Sequence, residues 1–541
     1  MRLEFRVKIR SALDLKILSK IGDQVGFDLK HGLYIYRLNP VKASSLKSEE
    51  LEEILNRYRI VLPEETLRYV DRFRGVDVVF ELKGLDLTVW SRNEDYLSKI
   101  QNEGYVVRLE SEYRSLPSNL YPLIGIAEDL GLKWKTTFPL NLKLNLKLQP
   151  KYKLRDYQHE AYEKWKKVKR GVIVLPVAAG KTIIGVHAIY DLQLKTLIIV
   201  PTLDLQNQWV DRISELLGVG KGEIGVYGGG RRELKDITVI TYDSAYLAVE
   251  NYTYKYGLII ADECHHAVSP NYKRALLNAI APYKMGLTAT PIRSDALHKL
   301  YPQVIGPIVY SLKARELREK GYLADYRVER VYVKLSDEEY RRYKELMKIY
   351  LDFCKKTIPE AKSAKERFQK TLQLAAKSRE AREALRARHE ARKIALNAKK
   401  KIEVLEELLE KLRNHKIIIF SRYTDIIREV SKQFLIPKIL HDTPKDERKL
   451  YLKMFREGKV RILASAMALD EGVDVPDASA AIIVSGTSSH REYVQRLGRI
   501  LRPKEDEAVL IELITEKTVE PAIALRRKKP HIFEDKTLHE W

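Results

Sequence analysis

The hydrophobic positions of this chain follow two patterns, and the change between them comes near residue 150. Before that point, apolar and polar residues alternate in short runs such as LEFRVKI, GLYIYRL and VDVVFEL, which is typical of half-buried strands. One longer stretch, SSLKSEELEEILNRY, has helical spacing and begins with serines. Residues 1–150 are therefore predicted to form an N-terminal α+β region of one or two small modules.

Beyond Tyr157 the apolar runs become continuous. GVIVLP, TLIIVP, ITVITY and GLIIADE alternate with helical stretches, and the alternation resumes with HKIIIFS, RILASA, AAIIVSG and AVLIELI. Strands that helices cover on both faces have such runs, because neither face meets water. The pattern predicts an α/β fold with two parallel-sheet lobes, at residues 151–315 and 413–520, and a tail at 521–541.

The segment between the predicted lobes, residues 316–412, has a different composition. Within it, residues 341–400 contain 19 Lys or Arg, 7 Asp or Glu, no glycine and one proline. This composition predicts a basic helical insertion with a net charge of +12, about half of the +23 of the whole chain. A solvated helical hairpin, a nucleic-acid contact and a protein-docking element are all compatible with it.

Composition narrows the class of partner and compartment. Lys and Arg outnumber Asp and Glu by 97 to 74 in 541 residues, which favours nucleic acid first and an acidic membrane surface second. The two cysteines, Cys264 and Cys354, are too few for a four-thiolate iron–sulfur or zinc site and indicate a reducing compartment. The N-terminus does not resemble a signal peptide, and no apolar run is long enough to cross a bilayer. We therefore expect a soluble, cytoplasmic protein.

The segment VLPVAAGKT, residues 174–182, ends like a phosphate-binding loop. Such loops follow G-x-x-x-x-G-K-[ST], and Leu175 stands where the first glycine would be. An apolar strand precedes the segment and a helix follows, so loop amides and a helix N-terminus can converge on phosphates. Gly180 would allow close approach, Lys181 would reach the β and γ phosphates, and Thr182 would hold Mg²⁺. The alternative is an apolar strand followed by an accidental GKT.

The segment YGLIIADECHH places an acidic pair directly after an apolar strand. The carboxyl ends of parallel strands are where ligands bind in open α/β sheets. Asp262 could support Mg²⁺, and Glu263 could orient and deprotonate the attacking water. The adjacent His265 and His266 suggest a metal site, but neighbouring histidines project apart and no third ligand is near. Two ordinary strand-end carboxylates are the alternative interpretation.

Two later segments fit the same chemistry. GLTATP is a strand that ends in hydroxyls, which could couple the phosphate state to domain movement. REYVQRLGRILRP is predicted as a helix that carries Gln495, Arg499 and Arg502, and the two arginines are three residues apart on one face. Two guanidinium groups on one face can clamp a phosphoryl group during transfer. Taken alone, an arginine-rich helix would be interpreted as a solvated surface.

Together the segments resemble superfamily 2 helicases. The resemblance covers residues 151–515 and rests on nine motifs in the matching order. They are LRDYQ, LPVAAGKT, PTLDLQNQW, TYDS, DECH, TAT, FSRY, EGVDVP and QRLGRILR. Each motif is loose by itself, whereas the ordered set is specific. The resemblance implies two RecA-like lobes that bind ATP and Mg²⁺ between them.

Within that superfamily the chain looks most like the archaeal XPB branch. The family has a damage-recognition domain before the first lobe and a basic thumb between the lobes, where this chain has residues 1–150 and its insertion. The family's strand-separating motif is Arg-Glu-Asp, and here Arg293, Ser294 and Asp295 follow GLTATP. Close relatives also tend to have glycine where this loop has Ala178. An alanine there requires either a negative φ or a small strain energy.

The resemblance also implies roles for individual residues. Those expected to bind the nucleotide, in addition to the loop and acidic residues above, are Arg155, Gln158, Ala179 and Asp474. Arg499 and Arg502 would be arginine fingers across the cleft, and Gln495 belongs to the same motif. Residues expected to contact nucleic acid are Thr202, Thr241, Arg293, Asp295, Arg422 and Ser465.

The function implied by the resemblance is that of an ATP-dependent DNA helicase or translocase with 3′→5′ polarity. It would act on single-strand and duplex junctions in nucleotide excision repair or related DNA opening, and archaeal family members work with a nuclease partner. Two other hypotheses remain open at this point. One is an ATPase directed to double-stranded RNA, since DECH also occurs in RNA-directed relatives. The other is a DNA-binding scaffold with a weak ATPase, suggested by the missing glycine and the altered Arg-Ser-Asp.

Overall fold

The chain folds into α/β lobes with additional α+β modules at its N-terminus. A computed structural model describes residues 4–109, 112–293, 295–322, 326–466, 478–486 and 508–528. Four sheets of three, five, eight and six strands are formed by these residues. The two largest sheets are parallel apart from one edge strand, so the α/β fold with two parallel-sheet lobes is confirmed. Among the described helices, none has the length and apolarity that crossing a membrane requires.

The first module is a small antiparallel sheet covered by helices. Its strands pair in the order β1-β3-β2, and Phe5, Tyr36 and Leu38 belong to its buried core. The elements are β1 (Glu4–Val7), α1 (Ala12–Leu18), β2 (Gly22–Asp28), β3 (Leu33–Leu38), α2 (Pro40–Ser44), α3 (Ser48–Arg57) and α4 (Glu64–Asp71).

The second module is a five-stranded mixed sheet that packs against the first lobe. Its strand order is β6-β7-β5-β4-β8. The elements are β4 (Val78–Lys83), β5 (Asp86–Ser91), α5 (Glu94–Asn102), β6 (Val107–Leu109), β7 (Glu112–Ser115), α6 (Leu120–Asp129) and β8 (Trp134–Thr136). The partly buried guanidinium of Arg170, in the first lobe, donates to the carbonyls of Ser118 (2.8 Å) and Ala281 (2.9 Å) and joins the second module to the first lobe.

The first lobe is the eight-stranded sheet, with strand order β12-β11-β13-β10-β14-β15-β9-β16. Only β12 runs antiparallel to its neighbour, so the carboxyl ends of the other seven strands meet at one edge. The strands are β9 (Arg170–Val174), β10 (Thr196–Val200), β11 (Ile224–Gly228), β12 (Arg231–Arg232), β13 (Ile237–Thr241), β14 (Leu258–Asp262), β15 (Tyr283–Thr288) and β16 (Ile308–Ser311). The helices are α7 (Asp156–Val168), α8 (Lys181–Leu192), α9 (Leu203–Leu217), α10 (Tyr242–Ala248), α11 (Lys273–Leu277), α12 (Tyr301–Val304) and α13 (Ala314–Glu319).

A helical insertion, α14 to α16, follows the first strand of the second lobe. The elements of this region are β17 (Tyr326–Val333), α14 (Asp337–Thr357), α15 (Ala364–Ala375), α16 (Arg379–Leu396) and α17 (Lys400–Lys411). Buried alanines on α16 face the buried Tyr343 and Leu346 of α14, so the two helices approach closely. The insertion is tied to the second lobe because Lys393 Nζ lies 2.7 Å from the carboxylate of Asp425.

The second lobe is the six-stranded, all-parallel sheet, with strand order β17-β22-β21-β18-β20-β19. Two elements from the segment between the predicted lobes belong to it: β17 pairs with β22, and Leu405 of α17 lies in its core. Its other elements are β18 (Ile417–Ser421), α18 (Thr424–Phe434), β19 (Lys438–Ile439), α19 (Lys445–Arg456), β20 (Ile462–Ala466), β21 (Ala480–Ile483), β22 (Ala508–Thr515) and α20 (Glu520–Lys528).

Candidate nucleotide site and nucleic-acid interface

Three motifs of the first lobe meet at the carboxyl edge of its sheet. The phosphate-loop segment follows β9, the hydroxyl-rich TAT segment follows β15, and the acidic pair ends β14. These three strands are neighbours in the order β14-β15-β9, and all three are parallel. Sheet topology therefore places the phosphate loop, residues 174–182, beside two segments that begin at residues 262 and 288.

The loop after β9 turns through two residues with positive φ. Ala178 has φ +66° and Gly180 has φ +75°. The sequence allowed Ala178 either a negative φ or strain, and the structure shows the strained alternative, which costs about 1–2 kcal/mol for a residue with a Cβ. Gly180 precedes the first residue of α8, and a Cβ on it would lie 2.5 Å from Gln158 Nε2. Glycine at position 180 therefore avoids both the strain of a positive φ and a close contact with the Gln158 amide.

Lys181 and Thr182 are the first two residues of α8, where backbone amides lack partners within the helix. The Lys181 ammonium lies 3.4 Å from the carbonyl oxygen of Leu175 and 3.5 Å from that of Pro176. Both contacts are long for hydrogen bonds to an ammonium. The charge therefore lies over the loop, at a helix N-terminus that favours anions.

Gln158 and Tyr157 support the loop from α7. The carbonyl oxygen of Ala179 accepts from Tyr157 Oη at 2.8 Å and from Gln158 Nε2 at 3.0 Å. Gln158 Oε1 accepts from the backbone N–H of Arg155 at 2.9 Å, and its side chain is buried. In this structure Gln158 therefore uses its amide to hold the loop. The Arg155 guanidinium lies 5.3 Å from the ring centre of Tyr322.

The carboxylate of Asp262 is held by two donors. Trp209 Nε1 donates to Oδ2 at 2.8 Å, and the backbone N–H of Glu263 donates to Oδ1 at 3.0 Å. Burial raises the pKa of Asp262, while the indole of Trp209 and the charge of Lys181 lower it. Trp209 lies in PTLDLQNQW, but sequence reasoning did not identify it because its partner is 53 residues away.

Glu263 and His265 connect the acidic segment to the TAT segment. Glu263 has φ +43°, and its carboxylate lies 3.4 Å from Nδ1 of the buried His265. The same Nδ1 lies 3.2 Å from the hydroxyl of Thr288, at the end of β15. Within the described part of the chain, no group of three or more His, Cys, Asp or Glu side chains could hold a metal ion. The two contacts of His265 join the acidic segment to the TAT segment.

Arg293 continues this connection away from the sheet. Its guanidinium donates to the backbone carbonyl of His265 at 2.5 Å and to both carboxylate oxygens of Asp295, at 3.0 and 2.7 Å. This ion pair lowers the pKa of Asp295 to about 2. The segment that follows GLTATP is therefore hydrogen-bonded to the acidic segment. Ser294, between the two, lies outside the described residues.

The residues expected to contact nucleic acid have different environments. Thr202 and Thr241 cap α9 and α10 at the carboxyl edge of the first lobe, and their hydroxyls accept from Leu205 N and Ser244 N, each at 3.3 Å. Arg422 is exposed at the end of β18. Ser465 is fully buried, and its hydroxyl donates to a neighbouring strand's carbonyl at 3.0 Å. Thr241 is buried as well, so of these four side chains Arg422 is exposed and Thr202 is partly exposed.

The remaining candidates belong to the second lobe's later segments. Asp474, Gln495, Arg499 and Arg502 lie outside the described residues. One described ion pair joins the two lobes, because Arg448 Nη1 of α19 lies 3.6 Å from the carboxylate of Asp204 in the first turn of α9.

The described side chains fit a nucleotide bound with a divalent cation. The first turn of α8 and the ammonium of Lys181 offer donors and positive charge to phosphate oxygens. Asp262 is a buried carboxylate whose pKa burial raises, so a divalent cation beside it would favour the charged form. Carboxylate and hydroxyl oxygens are the ligands that Mg²⁺ prefers.

Comparison with known proteins gives two family matches within the chain. The model described as "Type III restriction enzyme, res subunit" matches residues 151–293, and "Helicase conserved C-terminal domain" matches residues 400–504. The chain is 45% identical over 382 residues to the DNA 3′-5′ translocase XPB2 of Sulfurisphaera tokodaii, with 71% of this chain and 86% of that protein covered. It is 28% identical over 392 residues to the DNA 3′-5′ helicase XPB of Mycobacterium tuberculosis, with 70% and 64% covered.

A solved structure of similar outline is the helicase domain of Hef from Pyrococcus furiosus. The alignment has a TM-score of 0.48 and 21% sequence identity, and it covers 70% of this chain and 98% of that domain.

Proposed function

This chain belongs to the XPB family of DNA 3′-5′ helicases and translocases, and on that premise we propose that it uses ATP hydrolysis to translocate on DNA or to open it. The observation that carries the proposal is the meeting of three motifs at one sheet edge. The phosphate loop, the acidic pair and the TAT segment follow three adjacent parallel strands. This is where an open α/β sheet binds its ligand.

Each residue at this edge has a proposed part in hydrolysis. Lys181 contacts the β and γ phosphates, and Thr182 and Asp262 hold Mg²⁺. The cation, when bound, neutralises charge on the phosphate oxygens. Glu263 orients the attacking water and accepts its proton. Gln158, whose amide contacts the loop carbonyl, acts by holding the loop in its strained conformation.

Movement along DNA follows from the two-lobe architecture. We propose that Arg499 and Arg502 of the second lobe reach the γ-phosphate that the first lobe binds, with Gln495 and Asp474 nearby. Binding of ATP then closes the cleft, and loss of the γ-phosphate removes the bridge and opens it. If each lobe holds a strand by its phosphates, this cycle becomes stepping that is independent of base sequence.

The proposed DNA contacts are those that the structure leaves accessible. Thr202 is partly exposed at the N-terminus of α9, where backbone amides favour phosphate, and Arg422 is exposed, whereas the side chain of Thr241 is buried. On the insertion, Arg386 is exposed, whereas the Arg388 guanidinium lies 4.2 Å from the ring centre of Phe368 and packs between helices. Arg386 is therefore the better candidate for a DNA contact. Such contacts predict binding that weakens steeply with salt.

The proposal is tested by ATPase assays with single-stranded DNA, duplex DNA and duplex RNA. We expect DNA to stimulate hydrolysis and Lys181→Ala to abolish it. Stimulation by RNA but not by DNA would replace the proposal with an RNA-directed ATPase. Hydrolysis that Lys181→Ala leaves unchanged would show that the activity does not depend on this loop. The loop and its lobe would then serve DNA binding alone, as in a scaffold.

Polarity, pathway and partner are finer parts of the same proposal. Duplexes with a 3′ or a 5′ single-stranded tail test the polarity, and opening only from a 5′ tail would contradict the 3′→5′ direction.

We place the activity in nucleotide excision repair or related DNA opening, together with a nuclease partner. Affinity capture from the native cell with the wild-type chain as bait, followed by a nuclease assay, tests the partner. Capture of proteins without nuclease activity would contradict it.

A further inference from the structure

The indole of Trp209 occupies a central place beside the nucleotide site. Its Nε1 donates to Asp262 Oδ2 at 2.8 Å, and both side chains are buried, at 1% and 6% exposure. The opposite side of the ring packs against α8, the helix of the phosphate loop, because a Cβ on Gly185 would lie 2.6 Å from Trp209 Cη2. One side chain thus contacts both the helix of the phosphate loop and the strand of the acidic motif.

Trp209 lies in α9, and the N-terminal end of this helix faces the proposed DNA path. Thr202 caps α9, and the separation of seven positions between Thr202 and Trp209 corresponds to about 10 Å along the axis. Between them, Gln206 Nε2 donates to the carbonyls of Tyr227 at 3.0 Å and Val239 at 2.9 Å, which attaches the helix to the sheet. The segment is therefore a rigid connection from the helix N-terminus to the carboxylate of Asp262.

We propose that Trp209 is a positioning residue that fixes the orientation of the Asp262 carboxylate for Mg²⁺ and transmits DNA engagement at the start of α9 to that carboxylate. This inference rests on the proposed role of Asp262. With Trp209 in place, each carboxylate oxygen has one fixed donor, since Glu263 N holds Oδ1. Without the indole N–H, Oδ2 loses this donor inside a buried site and the carboxylate can rotate. Loss of such an outer-shell donor weakens metal binding by about 10–100-fold.

The chain offers a matched control for a Trp209→Phe substitution. Trp165 is also buried in the first lobe, and its Nε1 donates to the backbone carbonyl of Lys284 at 2.9 Å, away from Asp262. Trp165→Phe therefore removes one buried indole hydrogen bond without touching the acidic motif. Both variants are first compared with wild type by thermal unfolding. Incorporation of benzothienylalanine at position 209 removes the N–H while retaining the ring shape, so the test survives if Trp209→Phe fails to fold.

The first measurement is binding of Mn²⁺ to the ADP-bound proteins by electron paramagnetic resonance. We expect about tenfold weaker Mn²⁺ binding for Trp209→Phe and for the benzothienyl variant. Binding by Trp165→Phe should stay within about twofold of wild type, because its lost hydrogen bond lies away from the acidic motif. The Mg²⁺ concentration for half-maximal ATPase activity should rise for both position-209 variants and stay close to the wild-type value for Trp165→Phe. Equal Mn²⁺ binding by the position-209 and Trp165 variants would overturn the positioning role.

The second measurement tests transmission with Thr202→Val, Trp209→Phe and the double variant. We expect Thr202→Val to lower the stimulation of ATPase activity by DNA in the wild-type background and to have little further effect when residue 209 is Phe. Independent, multiplying effects would overturn transmission through Trp209. If the wild type itself has no DNA-stimulated ATPase, the proposed function fails; if the wild type is stimulated and Trp209→Phe behaves like Trp165→Phe, this inference alone fails.

Discussion

Removal of the buried Lys401 charge should destabilise the second lobe strongly. Lys401 and Glu520 form an ion pair in which both side chains are fully buried, with Nζ 2.9 and 2.7 Å from the two carboxylate oxygens. The same ammonium donates to the carbonyls of Leu396 at 3.1 Å and Val484 at 2.7 Å. Lys401→Met leaves the Glu520 carboxylate buried without its countercharge, and Thr515, whose backbone N–H donates at 2.8 Å, still hydrogen-bonds to it.

Breaking one side of a buried ion pair costs about 3–5 kcal/mol. For a cooperative unit of 150–250 residues, each kcal/mol lowers the Tm by about 2–4 °C, so Lys401→Met should lower the transition of the second lobe by roughly 10 °C. Calorimetry measures this shift, and hydrogen exchange of β18, β21 and β22 peptides assigns it to the lobe. Lys401→Met with Glu520→Met should recover most of the loss, since replacing both partners of a buried pair by apolar residues is often neutral.

The control is the neighbouring Lys400, whose ion pair with Glu403 is exposed at 58% and 63%. Lys400→Met should change stability by less than about 1 kcal/mol. If Lys401→Met were as mild as Lys400→Met, or if the double variant were as unstable as the single one, burial would not be the source of the effect.

Three further predictions follow from single features of the first lobe and its boundary. Ala178→Gly should stabilise the first lobe by roughly 0.5–1 kcal/mol in denaturant unfolding, because relief of positive-φ strain exceeds the entropy that glycine adds to the unfolded chain; a destabilised variant would contradict the strain. Lys284 is buried, and burial lowers the pKa of its ammonium well below the usual value of 10.5. Folding therefore releases its proton, and stability should rise with pH up to the usual pKa, by at most about 1.4 kcal/mol per pH unit. Lys284→Met should remove this slope in the pH range just below 10.5, and an unchanged slope would assign it to other groups. Asp204→Asn should increase DNA affinity up to about fivefold, because it releases Arg448 from its ion pair. If the gain persists in the double variant with Arg448→Gln, its cause is the loss of repulsion between the Asp204 carboxylate and DNA.

The shared sheet edge of Lys181 and Asp262 could be predicted from the sequence because both follow continuous apolar strands. Parallel strands end on the same side of a sheet, so two such motifs converge whatever the strand order. The order itself, with β15 between β14 and β9, is a long-range property that no local pattern encodes. The same limit hid Trp209, whose donor role depends on a strand 53 residues away.

Ser465 and Ala178 show two other limits of the sequence. A serine near a strand end can point to either face, and Ser465 points into the sheet, where its hydroxyl bonds to β19. For Ala178 the sequence could name the two alternatives but not choose, because the choice depends on the energy of the whole loop. The role of Gln158 as a support for the loop depends on a tertiary contact of the same kind.

Because α14 is attached to the second lobe, the far end of this helix would move with that lobe. With 21 residues, α14 is about 32 Å long, and it starts directly after the edge strand β17. The N-terminal module, by contrast, is fastened to the first lobe through Arg170. A rotation of one lobe by about 10° would therefore sweep the far end of α14 by about 5 Å relative to that module, more than the rise of roughly 3.4 Å between stacked base pairs. Small changes at the nucleotide cleft would thus displace the far end of α14 by a distance on the scale of one base pair.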